Sequence, residues 1–129
     1  MLVVIDTNIL VSALWSKNGL PAKILSMVVS GVLVPCFDDR ILCEYKDVLN
    51  RPKFKFSPVE VQWLLDWVVA NGCSIVAAPI DSPFIDETDK KFYEVAKFCD
   101  AKLITGNIKH FPVDGIAITV SDFLKSFPL

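Results

Sequence analysis

The sequence predicts an α/β fold, a mostly parallel sheet of four or five strands with helices on both faces. Three observations lead there. Short β-branched apolar runs alternate along the chain with longer stretches of helical period, the pattern of helices connecting parallel strands. The first run, Leu2-Val3-Val4-Ile5, is apolar at every position, as a strand buried on both faces must be. With 129 residues and a hydrophobic content of 53%, the chain is one domain's length with ample material for a core, which excludes a disordered or fibrous protein.

The elements follow in order. After the strand at 2–5, helical stretches are expected over 8–15 and 22–30, with Pro21 suited to a helix first turn and Gly31 to a stop. Val32-Leu33-Val34-Pro35 reads as the second strand. Ile41, Leu42, Tyr45, Val48 and Leu49 form a helical stripe over 38–50, ended by Arg51-Pro52. Ser57-Pro58-Val59-Glu60 is a capping box with proline at the first helical position, and Gly72 closes that helix after Asn71. A third strand is expected over 73–77, a helix over 87–99 and a fourth strand over 102–105. A strand at 116–120 and a short helix at 121–127 complete the chain, which carries no internal repeat, low-complexity tract or linker.

Charge and cysteine usage narrow the function classes. Thirteen basic against fifteen acidic residues give a net charge of −2. That argues against a duplex-DNA binder working by phosphate neutralisation, but not against a nucleic-acid enzyme whose positive charge comes from bound metal. Four cysteines without a CxxC pair, beside one histidine, offer little to a structural zinc site and read as free thiols. The N-terminus has no basic region and meets Asp6 within six residues, unlike a signal peptide, and no uncharged apolar stretch has membrane-spanning length. A cytoplasmic protein without membrane contact is the expectation.

In a sheet of this kind ligands sit beyond the carboxyl ends of the strands, and acidic side chains gather there. Asp6 ends the first strand, where aspartate also makes a good helix N-cap. Glu44 falls at the edge of the 38–50 stripe, with Lys46 or Arg40 as ordinary partners, whereas Asp47 points further out. Asp86 and Asp89 open the 87–99 helix close to its core face, a place that helix-start chemistry alone also explains. Thr105-Gly106-Asn107 follows the fourth strand and doubles as a common turn. Three or four carboxylates at one sheet edge repel one another unless a divalent cation holds them, and oxygen ligands without a His or Cys cluster select Mg²⁺ or Mn²⁺.

This order of motifs resembles the PIN-domain family of ribonucleases, specifically the toxin halves of bacterial and archaeal toxin–antitoxin pairs (VapC-like). The matching stretches are Val4-Ile5-Asp6-Thr7-Asn8, residues 44–54 from Glu44-Tyr45 to Lys53-Phe54, Asp86–Ala96, and Leu103-Ile104-Thr105-Gly106-Asn107. The resemblance implies a single PIN-like nuclease domain over residues 1–129. Its catalytic acids match Asp6, Glu44 and Asp89, with Asp86 as a further ligand or a contact behind the ligands. Where the family often carries a fourth acid this chain has Asn107, a weaker fourth catalytic residue whose amide can still ligate through its carbonyl or orient a water; the departure removes one negative charge and bears most on a second metal. Implied by the same resemblance are Mg²⁺ or Mn²⁺ held by Asp6 and Asp89, Glu44 holding a second ion or positioning water, and Thr7, Asn8, Lys90 and Thr105 on the substrate side. The implied activity is metal-dependent hydrolysis of single-stranded RNA, with a cognate antitoxin and a second copy of the chain as partners and no small-molecule cofactor. The rival is a catalytically weakened PIN-like module that binds RNA or a partner.

Other motifs carry less. Arg51, Lys53 and Lys55 interleave with Phe54 and Phe56, so that a base could stack there, or else form a charged solvated loop. Lys91 shares the phosphate-contact reading of Lys90, and His110 lies near the 105–107 edge, where packing beside Phe111-Pro112 also accounts for it. Serine and cysteine hydrolases lack their nucleophile motifs here, and the dehalogenase-type Asp-x-Asp fails at Asn8. The 57–71 helix is apolar almost all round, from Val59 to Val69, which fits either an interface or deep burial.

Overall fold

In the computed structural model, which describes residues 1–127, five parallel strands form one sheet in the order β3-β2-β1-β4-β5. The strands are β1 (Leu2–Ile5), β2 (Val34–Phe37), β3 (Cys73–Ser74), β4 (Lys102–Ile104) and β5 (Ala117–Ile118). Between and after them run α1 (Thr7–Trp15), α2 (Leu20–Val29), α3 (Asp39–Leu49), α4 (Pro58–Asn71), α5 (Lys90–Phe98) and α6 (Val120–Ser126). This is the expected α/β architecture, with helices on both faces of a parallel sheet. β1 is central because its Val3 and Val4 are wholly buried and its Ile5 almost so, flanked in register by Val3↔Pro35 of β2 and Ile5↔Ile104 of β4.

The Ser57 cap forms where the sequence places it, whereas Asp6 precedes α1 without a side-chain cap bond. Ser57 accepts from the Glu60 N–H and opens α4, and Asp38 accepts from the Ile41 N–H at 3.0 Å and opens α3. The strand bounds differ in instructive ways. β2 starts at Val34 rather than Val32, because Gly31, at φ +85, and Leu33 are still engaged with the end of α2: their N–H groups donate to Val28 and Met27. β3 stops at Ser74 rather than Ala77, and residues 75–86 continue as an irregular connection containing Pro79 and Pro83. The expected helix at 87–99 divides into a 3-10 turn, Glu87–Asp89, and α5.

That irregular connection is nevertheless anchored. Buried Glu94 of α5 accepts from the Ile80 N–H at 2.6 Å and from Arg40 at 2.8 Å, and Arg40 also clamps Asp38. The network ties the connection, α5 and the β2–α3 corner into one unit. It also takes Arg40 away from the pairing with Glu44 that its spacing allowed.

The 57–71 helix buries one apolar face and leaves apolar residues open on another. Val61, Leu64, Leu65 and Val68 are buried, while Val59, Trp63 and Val69 remain exposed.

Gly72 is required for space rather than for backbone freedom, since its φ of −83 suits any residue. A Cβ there would lie 2.5 Å from the Val68 carbonyl oxygen and 2.7 Å from that of Pro35. Both obstacles are backbone atoms that cannot turn aside. Gly72→Ala is therefore expected to destabilise the fold by about 2 kcal/mol, as overpacking does, measured by denaturant unfolding. An unchanged midpoint would show that α4 and β2 can separate at no cost.

Candidate functional site

Strands β1, β2 and β3 extend the sheet one way and β4 and β5 the other, so the connection reverses between β1 and β4. A crevice opens at the carboxyl ends of strands on either side of such a reversal. Asp6 and Thr105 are the residues that leave β1 and β4 there. The Asp6 N–H donates to the Ile104 carbonyl at 2.9 Å, continuing the ladder one residue beyond the strand. The Thr105 hydroxyl donates to Asp6 Oδ2 at 2.7 Å and accepts from the Asn107 N–H at 3.0 Å. Asp6 is 3% exposed and Thr105 fully buried.

Glu44 arrives from α3. The adjacent Tyr45 is buried, and its hydroxyl donates to the Ile5 carbonyl, which fixes the helix against the end of β1. The Glu44 carboxylate accepts from the Thr7 hydroxyl through one oxygen and pairs with Lys91 at 2.7 Å through the other. Lys91 also donates to the Thr88 carbonyl. The partner of Glu44 is thus Lys91, not Lys46 or Arg40.

Asp86 and Asp89 arrive through the 3-10 turn ahead of α5. Asp86 accepts from both the N–H and the hydroxyl of Thr88, at 2.9 and 2.6 Å, so the cap reading of this residue is correct. Asp89 Oδ2 lies 3.0 Å from His110 Nδ1. Among the described residues, Asp86, Asp89 and His110 form the one group of three potential ligands whose donor atoms lie within 4.8 Å of one another. The 3.0 Å separation matches two neighbouring ligands on an octahedral ion with bonds of about 2.1 Å. This donor set fits a divalent cation.

The expected site residues therefore fall into three groups. Asp86 and Asp89 are joined by His110. Asp6 and Glu44 lie outside that group but act on the same edge: burial raises the Asp6 pKa most, Asp89 and Glu44 raise it further, and the Thr105 hydroxyl lowers it. Thr88 holds the Asp86 carboxyl below the ordinary range, with a smaller contribution from His110. The remaining expectations shift. Thr7 and Thr105, expected on the substrate side, are buried and spend their hydroxyls orienting Glu44 and Asp6. Lys90 turns towards Glu87, at 3.9 Å, and the Phe84 ring, so the lysine at the acidic edge is its neighbour Lys91. Asn8 is exposed. Asn107 shapes the backbone: its N–H meets Thr105 and its carbonyl accepts from the His110 N–H at 2.9 Å, opening the 3-10 turn Ile108–His110 that carries the imidazole.

The sequence alone leaves His110 between phosphate contact and packing, and does not separate Lys91 from Lys90. The signal for His110 is its place five residues beyond Thr105, one short turn past the strand end. For Lys91 it is helical phase, since a residue beside the buried Phe92 lies nearer the core than Lys90 does.

Comparisons with known proteins identify the family of the fold. A family model described as PIN domain matches residues 2–109. The chain is 34% identical over 108 residues to the uncharacterized protein MJ1680 of Methanocaldococcus jannaschii, an alignment that covers 81% of this chain and 70% of that protein. No solved structure matches.

The raised pKa of Asp6 has a sign that can be measured. Its stabilising contribution is complete at pH below the ordinary aspartate range and is lost as pH rises through the higher folded-state value, so ionised Asp6 weakens the metal-free protein at neutral pH. Asp6→Asn is expected to raise the thermal midpoint in EDTA at neutral pH and to shrink the rise that Mn²⁺ produces in the wild type. A variant that melts lower in EDTA, with an unchanged Mn²⁺ response, would contradict this electrostatic account.

Proposed function

The chain belongs to the PIN-domain family, and on that premise we propose that it is a divalent-metal-dependent endoribonuclease. It hydrolyses phosphodiester bonds of single-stranded RNA and acts as the toxin of a toxin–antitoxin pair in the cytoplasm. The observation that carries this reading is the convergence of Asp6, Glu44, Asp86 and Asp89 on the strand-reversal edge, with Asp6 buried and destabilised by its acidic neighbours. A desolvated carboxylate in that setting costs stability unless a cation binds, and a site kept at such a cost suggests function.

Asp89, Asp86 and His110 are the residues that would hold a divalent ion, with Asp6 facing them across the edge. When bound, the ion supplies a polarised phosphate oxygen and a water of lowered pKa. Thr105 aims the Asp6 carboxylate, and Thr7 and Lys91 aim Glu44, which accepts a proton from the attacking water. Lys91 also offsets the charge of Glu44, and Asn107 adds none. Three carboxylates then remain for metal, a balance that favours one divalent ion over two.

The partner surface fits the exposed side of α4. A groove of about 470 Å³ runs between α1, α2 and α4, lined by Leu14, Leu25, Val29 and Trp63 among others. Trp63 stacks on Trp67 at 5.4 Å yet is 51% exposed. An antitoxin segment or a second copy of the chain would cover it. Among the described residues no helix is long and apolar enough to cross a membrane. Asn107, in place of a fourth acid, favours a second reading, a module that retains RNA or partner binding without turnover.

Cleavage of a mixed labelled single-stranded RNA pool decides between them. The expected outcome is cutting with Mn²⁺ or Mg²⁺, none in EDTA, and none with Asp6→Asn. Wild type and variant that both bind RNA without cutting it would establish the binding module instead.

A further inference from the structure

Helix α1 is tied to α3 at the acidic edge and, at its far end, to the connection that follows α3. Near the edge the two helices are tied by the Thr7 hydroxyl on Glu44. At the other end Trp15, the last residue of α1, meets Phe54 and Phe56 from the connection that follows α3. From Thr7 to Trp15 the helix rises about 12 Å at ~1.5 Å per residue.

The two phenylalanine rings stack in parallel, with centroids 5.4 Å apart and planes at 10°. The Trp15 indole stands perpendicular to both, at 6.0 and 6.1 Å, and remains 64% exposed. Lys53 Nζ lies 5.0 Å from the Phe54 centroid. Lys55, next in the chain but one, is held at a left-handed φ of 55, a conformation that lysine adopts only at a cost.

The surrounding charges do not cancel. Arg51 is taken by Asp47 at 3.0 Å and Lys17 by Glu60 at 3.1 Å, while Lys53 and Lys55 have no acidic partner within ion-pair distance among the described residues. Two free cations beside open aromatic surface suit a polyanion that carries flat apolar groups. They suit a second copy of this chain poorly if the patch packs on itself across a two-fold axis, since lysines would then face lysines with no acid between them.

We infer that Trp15, Phe54 and Phe56, with Lys53 and Lys55, form a stacking platform for unpaired bases of the RNA, a few nucleotides along the strand from the acidic edge. The inference rests on the ribonuclease reading and extends it. Aromatic surface accepts any unpaired base, and the lysines take the phosphates on either side. Bases locked in a duplex cannot use the platform, so it selects for single strands without selecting a sequence. The α1–α3 pair is the ruler between platform and cleavage point.

The test uses the full chain carrying Asp6→Asn, so that RNA is bound and not cut, with fluorescence anisotropy of a short unstructured RNA. On that background Trp15→Ala is expected to weaken binding about tenfold, and Trp15→Phe to recover most of the loss. Lys53→Ala with Lys55→Ala is expected to lower the slope of log affinity against log salt by about 1.4, the effect of two phosphate contacts on a single strand. The same sequence as a duplex is expected to bind more weakly and to ignore Trp15→Ala. Thermal melting checks each variant, and if Trp15→Ala does not fold, the lysine pair still decides the matter through the salt slope. RNA bound with unchanged affinity and slope by these variants overturns the platform and leaves the ribonuclease reading standing. RNA bound by none of the proteins, the parent included, overturns both. A Trp15→Ala protein that loses self-association in sedimentation but keeps its RNA affinity assigns the patch to a contact between copies, which also overturns the proposal.

Discussion

The hydrogen bond from Thr105 to Asp6 is the point on which the rest of the site depends. It joins the ends of two strands on opposite sides of the sheet's reversal, and it is the side-chain hydrogen bond that restrains the buried Asp6 carboxylate. Everything nearby is built outward from it. Tyr45 holds α3 to the carbonyl just before Asp6, which places Glu44, and Asn107 leans its N–H on the same threonine hydroxyl before turning the chain to present His110. A parallel sheet gathers the carboxyl ends of its strands on one edge, where α1 starts directly after Asp6 and α3 just past β2.

The electrostatics pull against stability. Asp6 is buried with Asp89 and Glu44 near enough to raise its pKa, and the protein compensates only in part. Lys91 neutralises Glu44, Thr88 secures Asp86, and His110 sits on Asp89. Elsewhere acidic groups are fully accommodated, as the Asp38–Arg40–Glu94 network shows, where each buried carboxylate has an arginine and a backbone N–H. The contrast between these two clusters separates a structural network from a candidate cation site.

How far the sequence discloses this depends on whether the deciding forces are local. β1, the α4 capping box and the position of Asp6 were legible because composition and neighbours within four residues set them. The acids of the PIN-like motifs were legible as candidates for the same reason. The start of β2 was not, since Leu33 is withheld from the strand by a bond to Met27 in the preceding helix. The connection over 75–86 read as a longer strand because its anchor, Glu94, lies many residues later. Lys91 and His110 escaped for a related reason: each acquires its meaning from a partner, Glu44 or Asp89, that only the folded chain brings near. Thr7 and Thr105 show the reverse case, correctly placed at the edge but with hydroxyls turned inward to the acids.

The central claim is that the edge between β1 and β4 is a centre for one divalent ion. Anomalous diffraction from crystals soaked in Mn²⁺ tests it most directly. The account gives a single strong peak among Asp89, Asp86 and His110, on the side of Asp6. No peak there, or a second of equal strength at Glu44 with Lys91 displaced, would contradict it.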